Sequence, residues 1–80
     1  MEEVNYRMPQ LERRLGIANK TIYKHIREGW FPPPVKNGSA SLWPVDEIDR
    51  YERALKMKAT KDELKVLVAD FMVERMKGKR

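Results

Sequence analysis

The stretch from Leu11 to Gly29 most constrains the fold, because it has room for two short helices and little else. Glycine commonly closes a helix, since it adopts the left-handed backbone conformation found at many helix ends. The sequence therefore predicts a first helix over 9–15 and a second over 19–28, joined by the turn Gly16-Ile17-Ala18. Two short helices joined by a tight turn form a helix-turn-helix.

The second predicted helix has two faces of opposite chemistry. At about 100° per residue, Lys20, Lys24 and Arg27 fall within a stripe about 60° wide. Ile22 and Ile26 lie on the other side, where they can pack against the first helix. A helix divided in this way can lie in a DNA groove while it stays anchored to a core.

The first turn of this helix carries the side chains that would lie nearest a duplex. Asn19 is predicted to be the N-cap, because its side-chain oxygen can accept a backbone N–H from the first turn. Recognition helices in helix-turn-helix proteins place their N-terminal residues against the base edges. We therefore expect the candidate DNA-binding residues of this helix to be Asn19, Lys20, Thr21, Tyr23, Lys24 and Arg27.

Composition narrows the class of protein without fixing it. The 80 residues carry a net charge of +5 and contain no cysteine and one histidine, so neither a disulfide nor a thiolate metal site can form. No nucleophile–base pair is recognisable, and we predict a protein that is not an enzyme and has no metal or cofactor. The charge alone would equally suit a solvated lysine-rich surface. Arg13 and Arg14 of the first helix could contact phosphate or simply lie in solvent.

The sequence also bears on where the protein is located in the cell. Residues 1–10 lack the basic and apolar pattern of a signal peptide, and no apolar run approaches the roughly 20 residues of a membrane span. The expectation is a cytoplasmic, nucleoid-associated protein that has no membrane partner.

A proline-rich segment, Trp30-Phe31-Pro32-Pro33-Pro34, follows the second helix. Three prolines cannot continue a helix, because each lacks the N–H donor and fixes φ. The segment is either a polyproline ligand for a partner or a rigid corner that packs Trp30 and Phe31 into the core. Its short length and internal position favour the corner.

A hairpin is predicted next, because Asn37-Gly38 lies between extended residues and suits a type I′ turn. This turn would pair Lys36 with Ser39 and Val35 with Ala40, leaving Lys36, Ser39 and Ser41 on the outer side. A hairpin after a recognition helix is a wing that can reach the flanking DNA backbone. The expected wing contacts are Lys36, Asn37, Gly38 and Ser39.

The third helix is predicted to open at Pro44, with Ile48, Tyr51 and Leu55 closing the core. The carboxylates near its start, Asp46 and Glu47 among them, suit the positive end of a helix better than acid–base catalysis.

A last helix is predicted over Thr60–Lys77, where T-x-x-E forms a capping box. One apolar face suffices for docking on a small domain, and this helix has two. The second face favours self-association as a homodimer or cooperative array, and the alternative is a well-buried helix. We divide the chain into a winged domain over 1–58 and, over 59–80, this helix with its basic tail. The faces are Leu64, Leu67, Val68, Phe71 and Met72, and opposite them Val66, Ala69, Val73 and Met76.

In combination, the motifs resemble the AlpA family of small prophage regulators, relatives of the MerR-like excisionases. Four segments of this sequence carry the resemblance: Tyr6-Arg7-Met8-Pro9, the segment 16–24 (GIANKTIYK), the segment 29–36 (GWFPPPVK), and Trp43 with the segment 47–51 (EIDRY). The resemblance covers roughly residues 5–55. Asn19 and Lys24 replace the family's usual serine and arginine, Tyr51 replaces a tryptophan, and the wing tip lacks the common arginines.

The resemblance implies a mainly α-helical winged helix-turn-helix with a small β-hairpin. It also implies sequence-specific binding to double-stranded DNA of a phage or integrative element. Such proteins act as transcriptional regulators, as excisionases (recombination directionality factors), or as both, and an integrase is a candidate partner. The alternative left open is a small terminase-like subunit for DNA packaging, which would use a similar winged helix and an oligomerising helix.

Overall fold

The computed structural model describes residues 5–78, with side chains through Lys77. Four helices and three short strands follow one another as β1 (Asn5–Tyr6), α1 (Met8–Leu15), α2 (Asn19–Glu28), β2 (Val35–Asn37), β3 (Ala40–Pro44), α3 (Val45–Lys56) and α4 (Lys61–Gly78). The strands form one antiparallel sheet in the order β1-β3-β2. The predicted fold class, a mainly helical winged helix-turn-helix, is confirmed. Within the described part of the chain, no helix is long and apolar enough to cross a membrane.

The turn between α1 and α2 follows the prediction except at its cap. Gly16 ends α1 with φ of 69°, the left-handed conformation expected of it. The predicted N-cap Asn19 is wrong: Ala18 occupies the cap position, and Asn19 is the first residue of α2. The carboxylate of Glu12 accepts the Asn19 backbone N–H at 2.7 Å. Because α1 supplies this acceptor across the turn, the helix start needs no side chain of its own.

The hairpin forms with a different register from the predicted one. Val35 pairs with Leu42 and Asn37 with Ala40, so the turn residues are Gly38 and Ser39. Only Gly38 of the two has a positive φ, at 65°, which matches a type II′ turn instead of type I′.

The hairpin faces also differ from the prediction. A shift of two residues preserves the faces of a strand, so Val35, Ala40 and Leu42 still share one side. That side was expected to face the core, but Trp43, which points the opposite way on β3, is the fully buried residue. The strands are too short for the sequence pattern to show which set of alternate residues faces the core.

One core joins all four helices to the sheet. Tyr51 and Ile48 are buried as predicted, but Leu55 is 37% exposed and its predicted place in the core is wrong. Ala54 packs against the core in its stead. The buried apolar residues are Leu11, Ile22, Phe31, Trp43, Ile48, Tyr51, Leu64, Val68 and Phe71.

The proline segment is a corner fixed by aromatic side chains from β3 and α3. The indole N–H of Trp43 donates to the carbonyl of Pro32 at 2.9 Å, and the Tyr51 hydroxyl donates to the carbonyl of Trp30 at 2.6 Å. The Phe31 ring is buried and meets the Tyr51 ring edge-on, with centroids 4.9 Å apart. Burial raises the pKa of Tyr51, so this phenol remains a donor at neutral pH. These contacts confirm the corner interpretation.

We expect Tyr51→Phe to lower the free energy of unfolding by about 1–2 kcal/mol, because the Trp30 carbonyl then loses its partner while the ring packing is kept. Urea denaturation followed by circular dichroism measures this change. Tyr23→Phe is the matched control, since the Tyr23 ring is 39% exposed and its hydroxyl makes no hydrogen bond within residues 5–77. Equal midpoints for the two variants would contradict the proposed role of the Tyr51 hydroxyl.

A buried ion pair ties α3 to α4 and to the proline corner. The guanidinium of Arg75 donates to both Glu47 oxygens, at 2.6 and 2.9 Å, and to the carbonyl of Pro33 at 2.9 Å. The residue Glu47 as a whole, backbone included, is 5% exposed. Glu47 lies in the first turn of α3 as predicted, but its carboxylate is directed at Arg75, 28 positions away, and makes no capping hydrogen bond within residues 5–77.

At its start, α4 has the predicted capping box. The Glu63 backbone N–H donates to the Thr60 hydroxyl at 3.1 Å, and the Thr60 N–H donates to the Glu63 carboxylate at 2.8 Å. The inner face predicted for this helix is confirmed, since Leu64, Val68 and Phe71 are buried. The basic tail residues Lys79 and Arg80 lie outside the described residues.

Candidate nucleic-acid interface

The outer face of α2 carries the cationic side chains, and its inner face packs on the core. Lys20, Lys24 and Arg27 are exposed, whereas Ile22 is fully buried and Ile26 is half-buried. This separation is the one that the helical periodicity predicts. Of the other candidate residues on α2, Asn19 and Tyr23 are exposed and Thr21 is half-buried.

The cations of α2 differ from several other arginines in having no carboxylate partner. Within residues 5–77, Lys20, Lys24 and Arg27 form no salt bridge. By contrast, Arg50 pairs with Glu74 at 2.8 Å and Arg75 pairs with Glu47. Charges that stay unneutralised on one helix face produce a local positive potential, which attracts polyanions.

Arg14 belongs to the internally paired group, which neither of its two sequence-based interpretations predicted. Its guanidinium contacts the carboxylates of Glu52 at 2.6 Å and Asp49 at 3.0 Å, and the hydroxyl of Tyr6. The hydrogen bond to Glu52 raises the pKa of Arg14 and lowers that of Glu52. Arg14 therefore joins α1 to α3 and is not a free phosphate contact.

The N-terminus of α2 is already occupied by an anion. The first backbone N–H groups of a helix attract phosphate, since they lack partners within the helix. Here the Glu12 carboxylate accepts the N–H of Asn19. A phosphate at this end would meet that negative charge. We therefore expect the side chains of α2, and not its N-terminal backbone N–H groups, to contact DNA.

Aromatic and charged side chains cluster at the other end of α2. The imidazole of His25 stacks on the Trp30 ring with centroids 3.9 Å apart. Burial lowers the pKa of His25, so the ring is neutral at pH 7. The indole N–H of Trp30 donates to Glu28 at 2.9 Å and holds the pKa of that carboxyl below its usual value. The ammonium of Lys61 lies 5.2 Å from the Trp30 centroid, in cation–π range.

The wing presents a polar tip. The Lys36 ammonium donates across the hairpin to the Ser41 hydroxyl at 2.8 Å, a contact that orders the side chain but leaves its charge unneutralised. Asn37, Gly38 and Ser39 are exposed. With the observed register, Asn37 is a strand residue and the tip itself consists of Gly38 and Ser39.

No group of three or more histidine, cysteine, aspartate or glutamate side chains in the described ranges is placed to hold a metal ion. The predicted residues of the candidate interface lie in two places, on α2 and on the wing.

Sequence reasoning missed Glu12 and Lys61, which shape the two ends of α2. The capping box predicts that α4 starts near Lys61, but no local pattern shows that this start lies beside Trp30, thirty-one positions earlier. The Glu12 contact likewise depends on the angle between α1 and α2, which the turn sequence does not specify.

One comparison with known proteins gave a match. The family model described as prophage CP4-57 regulatory protein (AlpA) matches residues 5–52, which span β1 through most of α3. The searches of curated proteins and of solved structures gave no match. The matched range contains α2 and the wing and leaves out α4.

Proposed function

Because this chain belongs to the AlpA family of prophage regulatory proteins, we propose that it is a sequence-specific double-stranded DNA-binding protein of a phage or integrative element. It acts in this proposal as a transcriptional regulator, as an excisionase, or as both. The observation that carries the proposal is the cationic face of α2, whose side chains have no carboxylate partner among residues 5–77, on a helix that Ile22 anchors to the core. The regulatory description of the family favours this role over the packaging subunit.

In the proposed complex, α2 enters the major groove. Lys20, Thr21 and Lys24 lie near the base edges, where lysine can donate to the O6 and N7 acceptors of guanine. Asn19 lies at the same end and can bond adenine, and Tyr23 and Arg27 contact phosphates. Phosphate contacts fix the position of a protein on the duplex, whereas base contacts carry its sequence preference.

The wing contributes to the DNA backbone in this proposal. Lys36 supplies a charge, and Asn37, Gly38 and Ser39 supply polar atoms at an exposed tip. Because the wing tip carries no arginine and Lys36 is the only cation of these four residues, the wing is assigned to the backbone and not to minor-groove reading. A single small module buries little surface on DNA, so tight binding calls for two copies or an array.

We expect Lys24→Ala to weaken binding to the specific site about 5- to 150-fold, the effect of losing about 1–3 kcal/mol from one base contact. The site is first selected from randomised duplexes, and affinity is then measured by fluorescence anisotropy at physiological salt. The affinity for unrelated DNA should fall much less, because nonspecific binding depends on many charges near phosphates and this variant removes only one of them.

The control is Lys56→Ala, which removes an exposed lysine of the same charge from α3. Circular dichroism verifies that both variants keep the fold. If Lys24→Ala bound the selected site as tightly as Lys56→Ala, then α2 would not be the reading helix.

Regulator and excisionase differ in what the bound protein does. Footprinting on the DNA that flanks its gene reveals either one promoter site or a set of direct repeats. An excision reaction with the element's integrase, with and without this protein, then tests the second role. Excision that is independent of the protein would restrict the proposal to regulation.

A further inference from the structure

The outer face of α4 is apolar and lies uncovered in the part of the chain that the structure describes. Val66, Val73 and Met76 are 62%, 49% and 79% exposed, and Ala69 is exposed beside them. The opposite face of the same helix is buried in the core. The helix is thus docked on its own domain and still presents a second apolar surface.

The exposed residues have the spacing of a coiled-coil seam. Val66, Ala69, Val73 and Met76 follow one another at intervals of three, four and three, the repeat of heptad positions a and d. The buried Leu64, Val68 and Phe71 fall at positions f and c, opposite this seam. A helix packed along the seam would therefore not compete with the core.

Charges beside the seam are complementary between two parallel copies of this helix. Lys65 at position g and Asp70 at position e are exposed, and neither forms an ion pair with another residue among 5–77. In a parallel pair, position g of one helix faces position e five residues further along the other. Lys65 would then face Asp70 of a second copy, and two-fold symmetry makes this contact twice.

An antiparallel pair lacks this match. Layers that join Val66 to Met76 and Ala69 to Val73 would bring Asp70 against Asp70 of the second copy, so like charges would meet. The charges beside the seam therefore favour a parallel pair.

We propose that a second copy of this chain docks on this face, with the two α4 helices parallel along the Val66–Met76 seam. Met57, which is 77% exposed, lies beside Val66 in a shallow groove and enlarges the apolar surface available to the second copy. The seam spans about two heptads, fewer than the three to four typical of a coiled coil that persists alone. The pair is therefore weak in free solution, and adjacent DNA sites would promote it by raising the local concentration.

Cysteine cross-linking tests the pair in the full chain without DNA. The protein has no cysteine, so Ala69→Cys introduces one thiol at a d position, which faces its own counterpart in a parallel pair and can form a disulfide. We expect oxidation at micromolar protein to give dimer at least about tenfold faster than Lys56→Cys on α3, because docking raises the effective thiol concentration toward millimolar. Equal rates for the two variants would overturn the proposal.

Charge exchange tests the direction and the identity of the partner. In the Ala69→Cys background, Lys65→Asp or Asp70→Lys alone is expected to slow cross-linking roughly tenfold, because two attractive contacts become repulsive. Mixing the two variants should restore the original rate, since every contact between them is again attractive. If the rate did not recover on mixing, the parallel pairing of two copies would be overturned.

The outcome is separable from that of the DNA-binding proposal. Cross-linking is measured in the absence of DNA, and the Lys24→Ala comparison can be made on a duplex that holds one half-site. Failure of one experiment leaves the other unaffected.

Discussion

Glu47→Ala is expected to lower the free energy of unfolding by about 3–5 kcal/mol, because it leaves the Arg75 guanidinium partly buried without its counter-charge. A chain of this size has a total stability of roughly 4–12 kcal/mol, so the variant would be largely unfolded at the low end of that range. The effect is large because one residue joins three elements: Arg75 bonds Glu47 on α3 and also the carbonyl of Pro33. Urea denaturation followed by circular dichroism measures the change.

The matched control is Glu74→Ala, which breaks the Arg50 pair, another contact between α3 and α4. Those two side chains are 38% and 55% exposed, compared with 22% and 7% for Arg75 and Glu47. An exposed pair contributes about 0–1 kcal/mol, since water solvates both charges once they separate. Equal losses for Glu47→Ala and Glu74→Ala would contradict the buried character of the first pair.

A double variant distinguishes the cost of one unpaired buried charge from the contribution of the ion pair itself. Glu47→Met combined with Arg75→Leu removes both charges and keeps apolar volume at the site. Replacing a buried ion pair in this way is often neutral or stabilising, whereas removing one partner is costly. We therefore expect the double variant to be more stable than Glu47→Ala, although the Pro33 carbonyl also loses its donor.

Patterns within one element were sufficient to predict most of the helices. The period of apolar residues located α2 and the inner face of α4, and Thr60 and Glu63 marked the start of α4. Gly16 and Gly29 ended their helices with positive φ, as expected. Such signals depend on residues three or four positions apart, and the physics that they reflect is local.

Contacts between elements were not predictable in the same way. One such contact is the hydrogen bond from the Asn19 backbone to Glu12 at the start of α2, and another is the ion pair of Arg75 with Glu47. Both depend on how the helices pack, which no short sequence pattern shows. The hairpin turn slipped from Asn37-Gly38 to Gly38-Ser39 because both dipeptides suit a two-residue turn, of types I′ and II′ respectively. Trp43 determines which face of β3 is directed at the core, because its large ring gains most from burial.

The candidate site followed the same division. The cationic stripe of α2 lies on one element, and the exposure of Lys20, Lys24 and Arg27 agrees with the helical period. Arg14 could not be assigned in advance, because its neutralisation by Glu52 requires a contact 38 residues apart. Distinguishing a free cation from a paired one is the step for which the tertiary structure was needed.

Phe71→Ala is expected to cost about 3–5 kcal/mol of stability, because it leaves a cavity where a fully buried ring had packed. The ring also lies under the Arg50 guanidinium, whose centre is 5.0 Å from its centroid. Phe71→Leu keeps most of the volume and should lose less. This comparison tests whether α4, which lies beyond the family match over 5–52, completes the core of the winged domain.

Met76→Ala is the control for Phe71→Ala, since Met76 lies on the same helix and is 79% exposed. Surface substitutions usually change stability by less than about 0.5 kcal/mol. Both variants are compared by urea denaturation at a protein concentration too low for self-association. A loss for Phe71→Ala no larger than that for Met76→Ala would mean that α4 is not docked on the domain. A large loss would mean that the inner face of α4 is committed to folding, which leaves the outer face as the surface of this helix that is free to bind a second copy.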